Sequence, residues 1–131
     1  MRILIAEDDF TCRLLLQELL KSYGPCHIAV TGKEAVAAVH AALEAGQPYD
    51  LICLDILMPE MDGLDALREI RLLEEAKGVP GPGRAKIIMT TGLADKDNVI
   101  EARDRQCDYF LVKPVQKAKL TEELRRLRLI P

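Results

Sequence analysis

Five short apolar runs punctuate the chain. They are residues 2–6 (RILIA), 26–30 (CHIAV), 50–54 (DLICL), 86–90 (KIIMT) and 108–112 (DYFLV), each of strand length. The first, third and fourth are almost unbroken in apolar residues. Strands buried on both faces of a parallel sheet have that composition, whereas half-exposed strands alternate. Between the runs the period becomes helical. Residues 11–22 carry Leu15, Leu16, Leu19 and Leu20 on one face, and 32–45 carry Ala35, Val36, Val39 and Leu43. Residues 63–76 carry Leu64, Leu67, Ile70 and Leu73, and 116–129 carry Leu120, Leu124 and Leu127. A weaker pattern over 95–105 sets Val99, Ile100 and Ala102 among many charges.

Start and stop signals agree with this division. Thr31 and Glu34 make a capping box ahead of the second helix, which stops at Gly46. Asp62 is placed to cap the third. The stretch AKGVPGPGR, 76–84, predicts an irregular surface loop. Five strands alternating with five helices predict an α/β protein with helices on both faces of a parallel sheet. At 131 residues the chain is expected to be a single domain, 1–131.

Composition narrows the function. About half the residues are hydrophobic, enough for a core. A net charge of −3 argues against a nucleic-acid surface. No apolar run is long enough to span a bilayer, and the N-terminus lacks the apolar region of a secretory signal. Cys12, Cys26, Cys53 and Cys107 have no C-x-x-C spacing, so the expectation is buried, reduced thiols in a cytoplasmic protein rather than a zinc site.

The polar residues then fall into a pattern. The first strand ends in Glu7-Asp8-Asp9, the third in Asp55, the fourth in Thr90-Thr91-Gly92 and the fifth in Lys113-Pro114. Singly, each has a plain explanation: Asp9 caps a helix, Asp55 caps a turn, Lys113 is solvated. Together they occupy one edge of the sheet, and open parallel sheets bind ligands beyond the carboxyl ends of their strands. Crowded carboxylates repel and need a cation. Oxygen donors without histidine or paired cysteine point to Mg²⁺. Lys113 and the Thr91 hydroxyl supply donors for an anion, which makes this a phosphoryl site. There is no G-x-x-x-x-G-K-[ST] loop, so a P-loop nucleotide is not expected.

ILIAEDD, LICLDILMPEMDG, IIMTTG and FLVKP, in this order and spacing, closely resemble the receiver domain of two-component response regulators, of the chemotaxis-regulator type. The resemblance covers essentially the whole chain. It implies a flavodoxin-like doubly wound sheet of strand order 2-1-3-4-5. It implies that Asp55 accepts a phosphoryl group, that Asp8 binds Mg²⁺ directly and Glu7 through water, and that the Leu57 carbonyl is a further ligand. Thr91 matches the switch hydroxyl, Gly92 the small residue beside it, Lys113 the lysine that pairs with phosphoryl oxygens, and Phe110 the aromatic switch position. The implied donor is a sensor histidine kinase or histidine phosphotransfer protein. The implied output is a downstream protein or domain, reached through the face of the 95–105 helix, the fifth strand and the last helix. No nucleic acid or membrane partner is expected.

Two other readings compete with this one. A Mg²⁺-dependent aspartyl phosphatase typically carries a second Asp two residues after the nucleophile, where this chain has Leu57. A receiver fold that has lost phosphorylation is opposed by the intact set Glu7, Asp8, Asp55, Thr91 and Lys113. Three features depart from or modulate the family pattern. Gln106 stands where a glycine usually ends the fourth helix, Leu57 and Leu93 occupy positions that tune water access to the acyl phosphate, and the 76–84 loop is long.

Overall fold

A computed structural model describes residues 1–92 and 107–131 of the chain. The order of elements is β1 (Ile3–Ala6), α1 (Phe10–Leu20), β2 (Cys26–Ala29), α2 (Gly32–Glu44), β3 (Leu51–Asp55), α3 (Gly63–Ala76), a 3-10 turn (Gly81–Gly83), β4 (Lys86–Thr91), β5 (Tyr109–Val112) and α4 (Lys117–Arg126). The helix expected over 95–105 lies outside the described residues, as do Leu93 and Gln106.

The strands form one parallel sheet in the order β2-β1-β3-β4-β5. The three central strands β1, β3 and β4 are the three unbroken apolar runs, and β1 and β3 are buried at every position. At the edge, β2 exposes His27 and Ile28, which accounts for its more polar composition. Side chains alternate across the sheet, so each face has its own core. On one face Leu4, Ile52, Leu54, Ile87 and Met89 pack against Ala35 and Val39 of α2 and Leu67 and Ile70 of α3. On the other, Ile3, Ile5, Leu51, Cys53 and Ile88 pack against Leu16 and Leu20 of α1 and Leu120 and Leu124 of α4. Truncating one of these buried leucines or isoleucines to Ala costs about 2–5 kcal/mol.

The caps act nearly as expected. Thr31 Oγ1 accepts from Glu34 N at 3.1 Å, while Glu34 Oε1 reaches back to Val30 N at 3.3 Å, one residue before the expected donor. Asp62 Oδ1 accepts from Asp65 N at 2.9 Å. The face of α1 needs correction: Leu16 and Leu20 are buried, but Leu15 is 36% exposed. Of the four thiols, Cys53 alone is buried and the others are partly so, and none is in a disulfide.

A buried polar tie closes the opposite edge of the sheet. Arg71 donates to Glu74 at 2.7 Å, to the Ala85 carbonyl at 2.9 Å and to Asp108 at 3.1 Å. Glu74 and Asp108 in turn accept from Ala85 N and Ile87 N, each at 2.8 Å. Every group in this tie has a partner, as burial requires.

Candidate functional site

The site forms where the strands stop. Glu7 follows β1, and its N–H donates to the Ala29 carbonyl at 3.0 Å, continuing the ladder by one step. Its side chain therefore stays on the face of Ile3 and Ile5 and is fully buried. Asp8 is exposed. Asp9 is drawn off as the N-cap of α1, accepting from Cys12 N at 2.9 Å, and that N–H holds its carboxyl below the ordinary range. Arg13 braces the turn by donating to the Glu7 carbonyl at 3.1 Å and the Asp8 carbonyl at 3.4 Å. No sequence signal marked Arg13 for this role, because it depends on one turn of α1 folding back over the loop.

Asp55 ends β3 and is 4% exposed. The residues after it turn back tightly. Glu60 takes a left-handed φ of 68°, Met61 N donates to the Pro59 carbonyl at 2.8 Å, and Gly63 N donates to the Ile56 carbonyl at 2.6 Å. Asp62 then caps α3. The turn presents Leu57, two residues beyond Asp55, to solvent at 58% exposure.

Glu7, Asp8 and Asp55 each offer a carboxylate oxygen, and these oxygens lie within 4.8 Å of one another. Lys113 enters from the end of β5, held by its N–H to the Thr91 carbonyl at 2.7 Å. Its Nζ stands 2.8 Å from Glu7 Oε1 and 3.2 Å from Asp55 Oδ1. Oε1 is buried and is paired in charge with the Lys113 ammonium. Burial, then the hydrogen bond and charge of Glu7, push the Asp55 carboxyl up to about 8 against the pull of Lys113. Burial alone would lower Lys113, but Glu7 and Asp55 outweigh it and hold the ammonium above its ordinary value.

The remaining expected residues stand around this centre. Thr91 is buried at the end of β4, and its hydroxyl donates to the Gly92 carbonyl at 3.2 Å. Alternation puts Thr91 on the sheet face that also carries Phe110, which is partly buried against that face's core. The structure thus brings Glu7, Asp8, Asp55 and Lys113 into contact range, with Thr91 and Gly92 ending the neighbouring strand. Three clustered carboxylates, one with an unsatisfied buried oxygen, fit a small hard divalent cation such as Mg²⁺.

A doubly wound sheet with acids, a lysine and a hydroxyl at one edge defines a CheY-like receiver of two-component signalling. The chain belongs to the response regulator receiver domain family, whose sequence profile matches residues 3–125. It is similar to the chemotaxis protein CheY of Bacillus subtilis, at 31% identity over 130 residues covering 95% of each chain. It is also 31% identical over 127 residues to the hybrid signal transduction histidine kinase L of Dictyostelium discoideum, covering 95% of this chain but 7% of that protein. Among solved structures, the receiver domain of a sensor histidine kinase from Pseudomonas aeruginosa PAO1 superposes with a TM-score of 0.79 at 28% identity, covering 96% and 95% of the two chains. That structure has a magnesium ion coordinated in its active site cleft. A CheY-like receiver domain protein from Methanospirillum hungatei JF-1 superposes with a TM-score of 0.78 at 26% identity, covering 98% and 92%. Among the described residues, no helix is long and apolar enough to cross a membrane.

Proposed function

We propose that the chain is a phosphorylation switch in which Asp55 accepts a phosphoryl group from a histidine of a sensor kinase or phosphotransfer protein. The observation that carries this reading is the placing of one buried carboxylate between an acidic pair and a lysine. Asp55 lies 3.2 Å from Lys113 and within ligand distance of Glu7 and Asp8. The magnesium seen in the Pseudomonas receiver supports the same use of the acidic cluster here.

The residues divide the work. Asp8, Asp55 and the Leu57 carbonyl would hold Mg²⁺, with Glu7 acting through water. When bound, the ion neutralises charge on the carboxylates and on the phosphoryl oxygens. An Asp55 oxygen attacks phosphorus, the O–P bond forms, and the P–N bond to the donor imidazole breaks. The imidazole nitrogen keeps the electron pair, and because the donor's other ring nitrogen carries a proton, the histidine leaves as neutral imidazole. Lys113 turns from Glu7 and Asp55 toward the phosphoryl oxygens, whose charge it offsets. Thr91 and the Gly92 N–H then bind the new anion, and Phe110 follows Thr91 on their shared face. The changed surface of β5 and α4 is read by an output protein or domain. Water attack on the acyl phosphate resets the switch. The domain spans 1–131, acts in the cytoplasm, and turns over no substrate besides its own phosphoryl group.

The test is covalent labelling. Incubated with Mg²⁺ and a small phosphoramidate or acyl-phosphate donor, the protein should take up one acid-stable, base-labile phosphoryl group. Asp55→Asn should take up none while keeping its fold by circular dichroism. Stoichiometric labelling of that variant would remove Asp55 from the role.

A further inference from the structure

A buried hydroxyl stands beside the Asp55 carboxylate. Thr90 is the register partner of Asp55 across β3 and β4, so the two side chains share a face of the sheet. That face carries Ile3, Ile5, Cys53, Ile88 and Leu111 in its core. Because Ala6 pairs with Leu54 and Thr90 with Leu111, one row across the sheet reads Glu7, Asp55, Thr90, Leu111. Thr90 is 1% exposed, and its Oγ1 has no hydrogen-bond partner among the described residues.

An unpartnered buried hydroxyl costs free energy that a valine of the same shape avoids. Among the described residues, only one other buried side-chain atom shares this condition, Glu7 Oε1. It flanks Asp55 on the other side of the same row. Elsewhere the fold satisfies its buried polar groups, as the Arg71, Glu74 and Asp108 tie shows. Glu7 Oε1 still has the Lys113 ammonium 2.8 Å away, so Thr90 Oγ1 is the buried polar atom of this row left without a charge or hydrogen-bond partner, and it is the register neighbour of Asp55.

We propose that Thr90 is a positioning residue for phosphoryl transfer, donating a hydrogen bond from Oγ1 to the Asp55 carboxylate. The inference rests on Asp55 being the phosphoryl acceptor. Lys113 supplies the contact to Asp55 Oδ1 in the resting fold, at 3.2 Å. Once Lys113 turns to the phosphoryl oxygens, the carboxylate loses that donor. Thr90 is the unused donor next to Asp55 in the register. Its hydrogen bond fixes the plane of the carboxylate, and so the lone pair that faces phosphorus. The hydroxyl proton stays on Oγ1 throughout. The O–P bond forms and the P–N bond breaks as before.

The experiment compares the parent with Thr90→Val, Thr90→Ser and Asp55→Asn. The first readout is the melting temperature in metal-free buffer. The second is the initial rate of labelling by phosphoramidate at saturating Mg²⁺. Thr90→Val should melt at or above the parent yet label about tenfold more slowly or worse, the effect of losing one hydrogen bond to a charged acceptor. Thr90→Ser, which keeps the hydroxyl, should recover most of the rate. A Val variant that labels at the parent's rate overturns the inference and leaves Asp55 in place. So does a slow Val variant that melts below the parent and is not rescued by Ser, since packing alone then explains it. A parent that takes no more label than Asp55→Asn overturns both readings.

Discussion

Gly63 packs so closely on Asp55 that a β-carbon at position 63 would lie 2.0 Å from the Asp55 carbonyl oxygen. The contact is backbone against backbone, so no side-chain rotation relieves it. It seats the start of α3 against the end of β3 and fixes the direction in which the Asp55 carboxylate leaves the strand. Gly63→Ala is expected to lose at least about 1–3 kcal/mol, the range for overpacked sites, and to lower the labelling rate. Gly81→Ala is the control, because a β-carbon there meets nothing within 4 Å. Its stability should stay within about 0.5 kcal/mol of the parent. Urea unfolding of both variants checks the contrast, and equal stabilities would show that the turn relaxes freely.

Metal binding should reverse a pH trend. The Asp55 carboxyl is raised from its ordinary 3.8 to about 8 in the folded, metal-free protein. An acid raised by folding binds more protons in the folded state, so stability falls as pH rises through that window. Metal-free protein should therefore melt at progressively lower temperature between roughly pH 4 and pH 8. Mg²⁺ competes with the proton and should flatten the slope. At a free concentration 100 times Kd it should add about 2.7 kcal/mol. Asp8→Ala, which removes the exposed carboxylate of the cluster, should weaken the gain. A melting temperature that ignores tens of millimolar Mg²⁺ at pH 8 contradicts the site.

Lys113 gives an opposed pair of effects. It stands between Glu7 and Asp55, 2.8 Å and 3.2 Å away, and both carboxylates are buried. Lys113→Met leaves the buried Glu7 carboxylate without its cation and any charge on Asp55 uncompensated, and breaking such a pair costs about 3–5 kcal/mol. The metal-free variant should melt well below the parent, but Mg²⁺ should rescue it by more than it stabilises the parent, because the ion now replaces the missing charge. Labelling should stay slow even at saturating Mg²⁺, since no side chain then meets the phosphoryl oxygens. Calorimetric titration of Mg²⁺ into both proteins decides the matter; weaker binding by the variant would refute the charge argument.

The parts of this molecule legible in sequence are those governed by local pattern. Every described strand and helix lies within a few residues of its expected span, because apolar period and capping residues act over one or two turns. The face of α1 was less legible. The run Leu14-Leu15-Leu16 permits more than one helical face, and only packing against β1 and α4 buries Leu16 and Leu20 while leaving Leu14 and Leu15 exposed. The site residues were visible as polar ends of apolar runs. Their distances were not, because these depend on the left-handed Glu60 and on the Gly63 contact. Thr90 was harder still, since a hydroxyl inside an apolar run reads as an ordinary strand residue until its register with Asp55 is known.

The final prediction concerns how long the signal lasts. Leu57 stands two residues beyond Asp55 and is 58% exposed. Its side chain has no donor or acceptor to hold an attacking water, and its bulk is expected to hinder in-line approach. The acyl phosphate should therefore decay slowly for a receiver domain, and the signal should persist until a partner removes it. An amide at this position can orient water, so Leu57→Asn should shorten the lifetime on the order of tenfold. Mg²⁺ affinity should change little, since position 57 would serve the ion through its backbone carbonyl. Both proteins would be labelled, stripped of donor, and followed by phosphate-affinity electrophoresis. Equal decay would show that access past residue 57 does not set the rate, and that the barrier lies with Asp55, Lys113 and the ion themselves.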